Sequence, residues 1–314
     1  MKVPFKTIEQ LIIHNSDTAV KPIVGNKEIE RIHETVLNKQ HLKFKPWTSE
    51  EVLANINSTE IESHLSDVYT SIASNTTLNE KISTLQYFES IIVNSNVSNS
   101  LINSAFMALL KRMLEQIKSP MIKIRVCSVV GLLIRHSTMI DNELAEIDIA
   151  SQLIETLKDN NELVRRRAIA ALGEYMFYAA TQLDDELADP IWELSDDAIN
   201  IIVSSLDEQE PDRIVRFYAC KALENICAQS TSAGHRFATL ATVKQVLRIY
   251  LMPYDEDNAE QLDDAQSSYS SWYEGIRLSA AIALSHICKL NPQLFPIIFE
   301  TITPAKFCDI LMES

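Results

Sequence analysis

"VRRRAIAAL", Val164–Leu172, sets three consecutive arginines against an alanine-rich run in a chain whose formal net charge is −15. The stretch does not stand alone. Four segments align without gaps: "IRVCSVVGLLI" from Ile124, "VRRRAIAALGE" from Val164, "VRFYACKALEN" from Val215 and "IRLSAAIALSH" from Ile276. Each opens with a β-branched residue followed by Arg125, Arg165, Arg216 or Arg277. Three residues on stands a small residue (Ser128, Ala168, Ala219, Ala280), six on another (Gly131, Ala171, Ala222, Ala283), and seven on a leucine (Leu132, Leu172, Leu223, Leu284). Steps of three, three and one keep these positions on one helical face. Small residues there let neighbouring helices approach closely, and the leucine fills the space between them.

That is the pattern of the second helix of a HEAT or armadillo unit. Matching first helices precede two of the segments, in "AEIDIASQLIETLKD" (Ala145–Asp159) and "SDDAINIIVSSLDEQ" (Ser195–Gln209). The repeated arginines lie 40, 51 and 61 residues apart, against a period of about 40–47 for such units. The longer intervals hold the insertions "QLDDELADPIWELS" and "PYDEDNAEQLDDAQSSYSS". The predicted fold class is therefore all-α: a right-handed HEAT/armadillo-like α-solenoid over residues 47–314, behind a mostly extended, linker-like lead segment, 1–46. Helices are expected over 49–73, 77–94 and 98–117, with Thr48 or Ser49 as N-cap aided by Glu51 and with Pro120 as punctuation. Only five glycines among 314 residues argue in the same direction, because sheets with tight hairpins need more.

Composition narrows the function. A net charge of −15 disfavours nucleic acid and anionic membrane as partners, since both reward a basic face. The longest apolar run, "CSVVGLLI", stops at Arg135, far short of a membrane span. Five cysteines without a CxxC pair, and no signal peptide, predict reduced thiols and a cytoplasmic setting. No cofactor or metal site is expected. An EF-hand loop from Asp255 would have Ala259 and Glu260 where a ligand and a glycine belong. Cys220 and Cys227 lack a second pair, and no serine or cysteine sits in a glycine-containing elbow. Trp192 and Trp272 flank the insertions and are expected to pack the loops onto their own repeats.

Within this frame Arg165 reads as architectural, bonding carbonyls or an acidic side chain at the neighbouring turn, whereas Arg166 and Arg167 point off the packing face. Positions two, five and nine after each repeated arginine are expected to turn outward as well. The predicted protein-binding residues are Arg166, Arg167, Glu174, Tyr218, Lys221, Asn225 and His286.

"KIRVCSVVGLLIRHST" (Lys123–Thr138) and "NELVRRRAIAALGEYMFYAATQ" (Asn161–Gln182), together with "IEQLIIHNSDTAVKPIV" (Ile8–Val24), resemble the helical-repeat region and post-kinase linker of the fourth Unc-51-like kinase and plant Runkel kinase family. The resemblance covers about residues 5–25 and 120–185 well and the other repeats only generically. It implies a non-catalytic scaffold linked to microtubule, ciliary or cell-division assemblies, with basic or mixed-charge protein partners, some of them microtubule-associated. A second reading is the regulatory C-terminal region of a kinase or pseudokinase that docks on its own kinase domain. The chain carries no glycine-rich loop, HRD or DFG, so no catalytic residue carries over.

Overall fold

The computed structural model describes residues 37, 39–55, 58–183, 190–253, 266–305 and 308. These are helices and connections throughout, with no strand among the described residues. They divide into two compact units, one ending at Ala171 and one beginning at Leu172. Most of the lead segment 1–46, and the acidic stretch 254–265 of the second insertion, lie outside the described residues.

In the first unit the helices come in threes. A short helix α1 (Ser49–Ala54) is followed by α2 (Thr59–Ala73) and α3 (Leu78–Ile91), then α4 (Ser95–Ile102), α5 (Phe106–Gln116) and α6 (Pro120–His136). The pattern continues with α7 (Glu143–Glu146), α8 (Ile149–Thr156) and α9 (Glu162–Gln182), whose second half belongs to the other unit. The aligned segments are thus third helices of armadillo-like trios, not second helices of pairs. The expected single helices over 49–73 and 98–117 are each broken in two. Ser58 opens α2 as its N-cap, and the Ser104 hydroxyl accepts from the Phe106 amide to start α5. Short polar side chains that bond nearby backbone groups compete with helix continuation in this way.

Helix starts follow the local chemistry. Thr48 and Thr77 each form a full capping box with the glutamate three residues on, Glu51 and Glu80. Pro120 occupies the first turn of α6, where its missing N–H leaves nothing unsatisfied. Asp148 caps α8 with φ of 53°, the left-handed region, and its carboxylate accepts from the Ser151 amide. The turn after α6 is held by α4: Asn99 Oδ1 accepts from the Thr138 and Met139 amides, at 2.8 and 3.0 Å. Asn103 Oδ1 accepts from the Asp141 amide.

The second unit contains α10 (Asp196–Ser204), α11 (Arg213–Gln229), α12 (Thr231–Phe237), α13 (Leu240–Leu251), α14 (Gln266–Leu290) and α15 (Phe295–Thr301). Its centre is the packing of α11 on α14, where the small-residue register does what its spacing implies. Ala219, Ala222 and Leu223 on one helix, and Ala280, Ala283 and Leu284 on the other, are all fully buried. Gly234 lets α12 join them: an added Cβ would stand 2.6 Å from Leu290 Cδ1 and 3.4 Å from the Cys227 backbone. Both insertion tryptophans are buried, though Trp272 packs on the start of α11 rather than on its own trio. Trp192 is buried against Tyr175 and Tyr178. Trp272 donates from Nε1 to the Arg213 carbonyl at 2.8 Å, under the Arg213 guanidinium.

Candidate partner-binding site

The recurrent basic residue has a visible purpose. Arg165 donates to the Asp159 and Asn160 carbonyls just beyond α8, and Arg277 Nε to the Tyr250 carbonyl near the end of α13, its guanidinium over the Tyr250 and Tyr273 rings. Carbonyls at or just past a helix end lack intrahelical donors and lie at the negative end of its dipole, so a cation reaching across from the next helix answers both needs, from the first turns of α9 at Arg165 and from the middle of α14 at Arg277. The same device appears once more, unmarked by arginine. Lys81, at the equivalent place in α3, donates to the Ile72 and Ser74 carbonyls at the end of α2, at 2.7 and 2.8 Å. Sequence alignment missed this unit because lysine replaces arginine, and because Tyr87 and Phe88 stand where the other units have a small residue and leucine.

Arg125 departs from the rule. Its Nη1 donates to Glu89 Oε2 at 2.7 Å, a nearly buried ion pair from α6 to α3. Ser128 also bonds the Glu89 carboxylate, and Arg167 acts on it through space; burial nevertheless raises the Glu89 pKa. Arg167, expected to stand clear of the architecture, is therefore half-buried beside a structural carboxylate. Arg166 is also half-buried and lies 3.6 Å from Glu162 of its own helix.

Of the other expected binding residues, four are not outward-facing. Glu174 is 1% exposed, Tyr218 0%, Lys221 7% and Asn225 3%. The reason is that α9 and α11 are enclosed nearly all round: every residue from Ala168 to Ala180, and from Phe217 to Cys227, is buried. A face opposite the small-residue stripe is not a free face when helices pack on several sides. Lys221 is instead paired with Glu224 one turn along α11. His286 is half-buried, its pKa lowered by burial first and by Lys289 second.

Cys127, Cys220, Cys227 and Cys288 are buried free thiols and Cys308 is exposed. Burial pushes Cys127, Cys227 and Cys288 to about 12, far from the reactive thiolate range. Among the described residues no group of three or more His, Cys, Asp or Glu could hold a metal ion, and no helix is long and apolar enough to cross a membrane.

A concave site that sequence reasoning did not find lies in the first unit, between the segment Lys43–Trp47 and α2. Tyr87 organises it. The Trp47 amide donates to the Tyr87 hydroxyl at 3.1 Å, and that hydroxyl meets His64 Nε2 at 2.6 Å. The Trp47 and His64 rings stack at 4.3 Å with an interplanar angle of 1°, and Phe44 meets His64 edge-on at 5.9 Å. Burial lowers the His64 pKa and keeps the ring neutral, against the pull of Asp67 and Glu51. With Trp47 N–H already on the phenol oxygen, a bonded place for the phenol's own proton is Nε2. Lys43 Nζ sits 2.6 Å from Glu80, which Lys43 and the Thr77 amide hold down to about 2. Beside this clasp opens a cleft of about 690 Å³, lined by Phe44 and Trp47 of the Lys43–Trp47 segment and by Glu60, His64, Asp67 and hydroxyl side chains of α2.

No protein-family model matches the chain. Over 304 residues, 92% of its length, it is 28% identical to the serine/threonine-protein kinase RUNKEL of Arabidopsis thaliana, covering 20% of that protein. Over 302 residues it is 22% identical to the serine/threonine-protein kinase ULK4 of Mus musculus, covering 22%. The chain spans about a fifth of the length of the curated relatives it matches. Among solved structures, a designed armadillo repeat protein matches 77% of this chain and 88% of its own at a TM-score of 0.53 and 15% identity. An engineered protein from the Northeast Structural Genomics Consortium matches 76% and 84% at 0.54 and 13%. These two show the fold alone, an all-α solenoid of armadillo type. Likeness to RUNKEL and ULK4 over more than nine-tenths of the chain, joined to helix trios of this kind, fits the repeat region of a ULK4/Runkel-type protein.

Proposed function

We propose that the chain is a non-catalytic protein-binding scaffold serving microtubule, ciliary or cell-division assemblies in the cytoplasm, with basic or mixed-charge protein partners rather than nucleic acid or membrane. The observation that carries the scaffold reading is the succession of helix trios, whose third helices α9, α11 and α14 bury their register alanines and leucines while polar helix surface is left for partners. The acidic balance favours basic partners. The assembly type rests on the resemblance described above. Of the residues singled out in the sequence, Arg166, Arg167 and His286 retain partial exposure suited to contact, while Glu174, Tyr218, Lys221 and Asn225 serve packing. Proximity labelling in cells, with the chain fused to a labelling enzyme, tests this reading. Enrichment of cytoskeletal or ciliary proteins supports it, and a profile indistinguishable from the free enzyme removes it.

A second reading is that this region regulates a kinase domain by docking on it. It is favoured by the names of the relatives and by the fifth of their length that the chain spans. Mixing the purified chain with the kinase domain of a ULK4-type relative and measuring binding by calorimetry separates the two.

A further inference from the structure

We infer that the cleft between Phe44–Trp47 and α2 recognises a basic segment of a partner protein in polyproline II conformation, with two cationic side chains three residues apart. The inference rests on the scaffold reading and gives it a partner chemistry and a place. The cleft, about 690 Å³, is the size of a ligand site that takes a few residues of chain. Its aromatic wall is preassembled: Trp47 is stacked on His64 and fixed by its amide to Tyr87, so little ordering is left for binding. Aromatic-lined grooves suit polyproline II segments, which are extended before they bind.

Charge selects the sign of the ligand. Glu60 and Asp67 are exposed and flank His64 on the same face of α2, and neither forms an ion pair with a described residue. Of the lysines at the rim, Lys43 is committed to Glu80, leaving Lys45 against two carboxylates. The spacing selects the backbone. Seven residues along α2 separate Glu60 from Asp67 by about 10 Å. A polyproline II helix returns a side chain to the same face every three residues, after about 9 Å. A β-strand returns every second residue, after about 7 Å, and would reach only one carboxylate in register. His64 stands between the two acids along α2, and the half-buried Trp47 ring stacked on it offers a cation a π surface.

The alternative is that this polar face is merely solvated helix surface. The test is fluorescence anisotropy with a labelled Pro-Arg-Pro-Pro-Arg-Pro peptide, its Glu-for-Arg counterpart, and a spacer variant with the arginines two apart. The expected result is binding of the first alone, weakened about tenfold in Glu60→Lys/Asp67→Lys. The matched control Glu62→Lys/Glu146→Lys, equal in charge but off the cleft, should stay within about twofold. Peptide addition should also change tryptophan emission, and Trp47→Phe should abolish that change. Equal weakening by both doubles, preference for the acidic peptide, or absence of binding overturns the inference. Because protein capture by the whole chain is read separately in cells, the scaffold can survive loss of this site, and the site can survive loss of the scaffold.

Discussion

At the scale of single residues, Tyr87 carries more than its own burial. Its hydroxyl joins the Trp47 backbone to His64, and burial pushes its own pKa to about 12, so it stays a phenol at any physiological pH. Tyr87→Phe leaves the ring in place but strands the Trp47 amide and the His64 nitrogen. The expected loss is about 1–3 kcal/mol, measured by denaturant unfolding. His64 gives the region a pH dependence whose sign is fixed. Its folded pKa lies below the unfolded 6.5, so its contribution is complete above pH 6.5 and is lost as pH falls through the folded value. His286 shifts in the same direction in the other unit, so the comparison that matters is wild type against His64→Gln. The variant should show a shallower fall in melting temperature between pH 7.5 and 5.5. Glu89 works with the opposite sign. Its folded pKa is raised, so keeping it ionised at neutral pH works against folding, yet its removal leaves Arg125 without its carboxylate. Glu89→Ala is therefore expected to destabilise by about 3 kcal/mol, whereas a gain in stability would show that the ion pair is dispensable.

At the scale of the element, the third helices were legible because their register is a packing requirement that repeats, and the short first helices of each trio were not. Six to eight residues of α1 and α4 read as turns of a longer amphipathic helix until Ser58 and Ser104 are seen redirecting the chain. Lys81 was hidden for a related reason: the need is for a cation at the preceding helix end, and lysine meets it as well as arginine. The cleft could not be read from sequence because Trp47, His64 and Tyr87 come from separate elements and share no spacing. The outward positions of α11 were misjudged because helical periodicity identifies one buried face but is silent about a second. The register also differs between units. Leu172, Leu223 and Leu284 are fully buried, whereas Leu132 in α6 is only half-buried and its neighbour Leu133 takes the core position. Leu172→Ala should thus cost about 2–5 kcal/mol. Leu132→Ala should cost clearly less, and equal melting shifts would mean that the alignment, not the burial, sets the energetics.

At the scale of the whole molecule, 43 acidic residues against 28 basic ones make charge a force on folding and on binding, and the two respond to salt in opposite directions. In the folded state the excess carboxylates are held closer together than in the unfolded chain, so self-repulsion opposes compaction. At roughly 0.01 M salt the screening length is about 30 Å, comparable to a domain, and at 0.15 M it is about 8 Å. Added salt in that range should relieve the repulsion and raise the melting temperature. The ion pairs within the structure oppose this trend only weakly. Lys158–Glu155 is exposed at both ends and Lys43–Glu80 at its lysine, so both contribute little to begin with. Arg125–Glu89 and Lys123–Asp159 have side chains at most 20% exposed and are screened less. A basic partner feels the same surplus as attraction, so its affinity should fall over the salt range that stabilises the fold. Melting curves and peptide titrations at matched sodium chloride concentrations, kept below about 0.2 M so that screening dominates, measure both slopes on one preparation. A melting temperature that falls with salt would place the structural ion pairs above the net charge as the governing electrostatic contribution. A peptide affinity indifferent to salt would mean that the aromatic wall, not Glu60 and Asp67, holds the ligand.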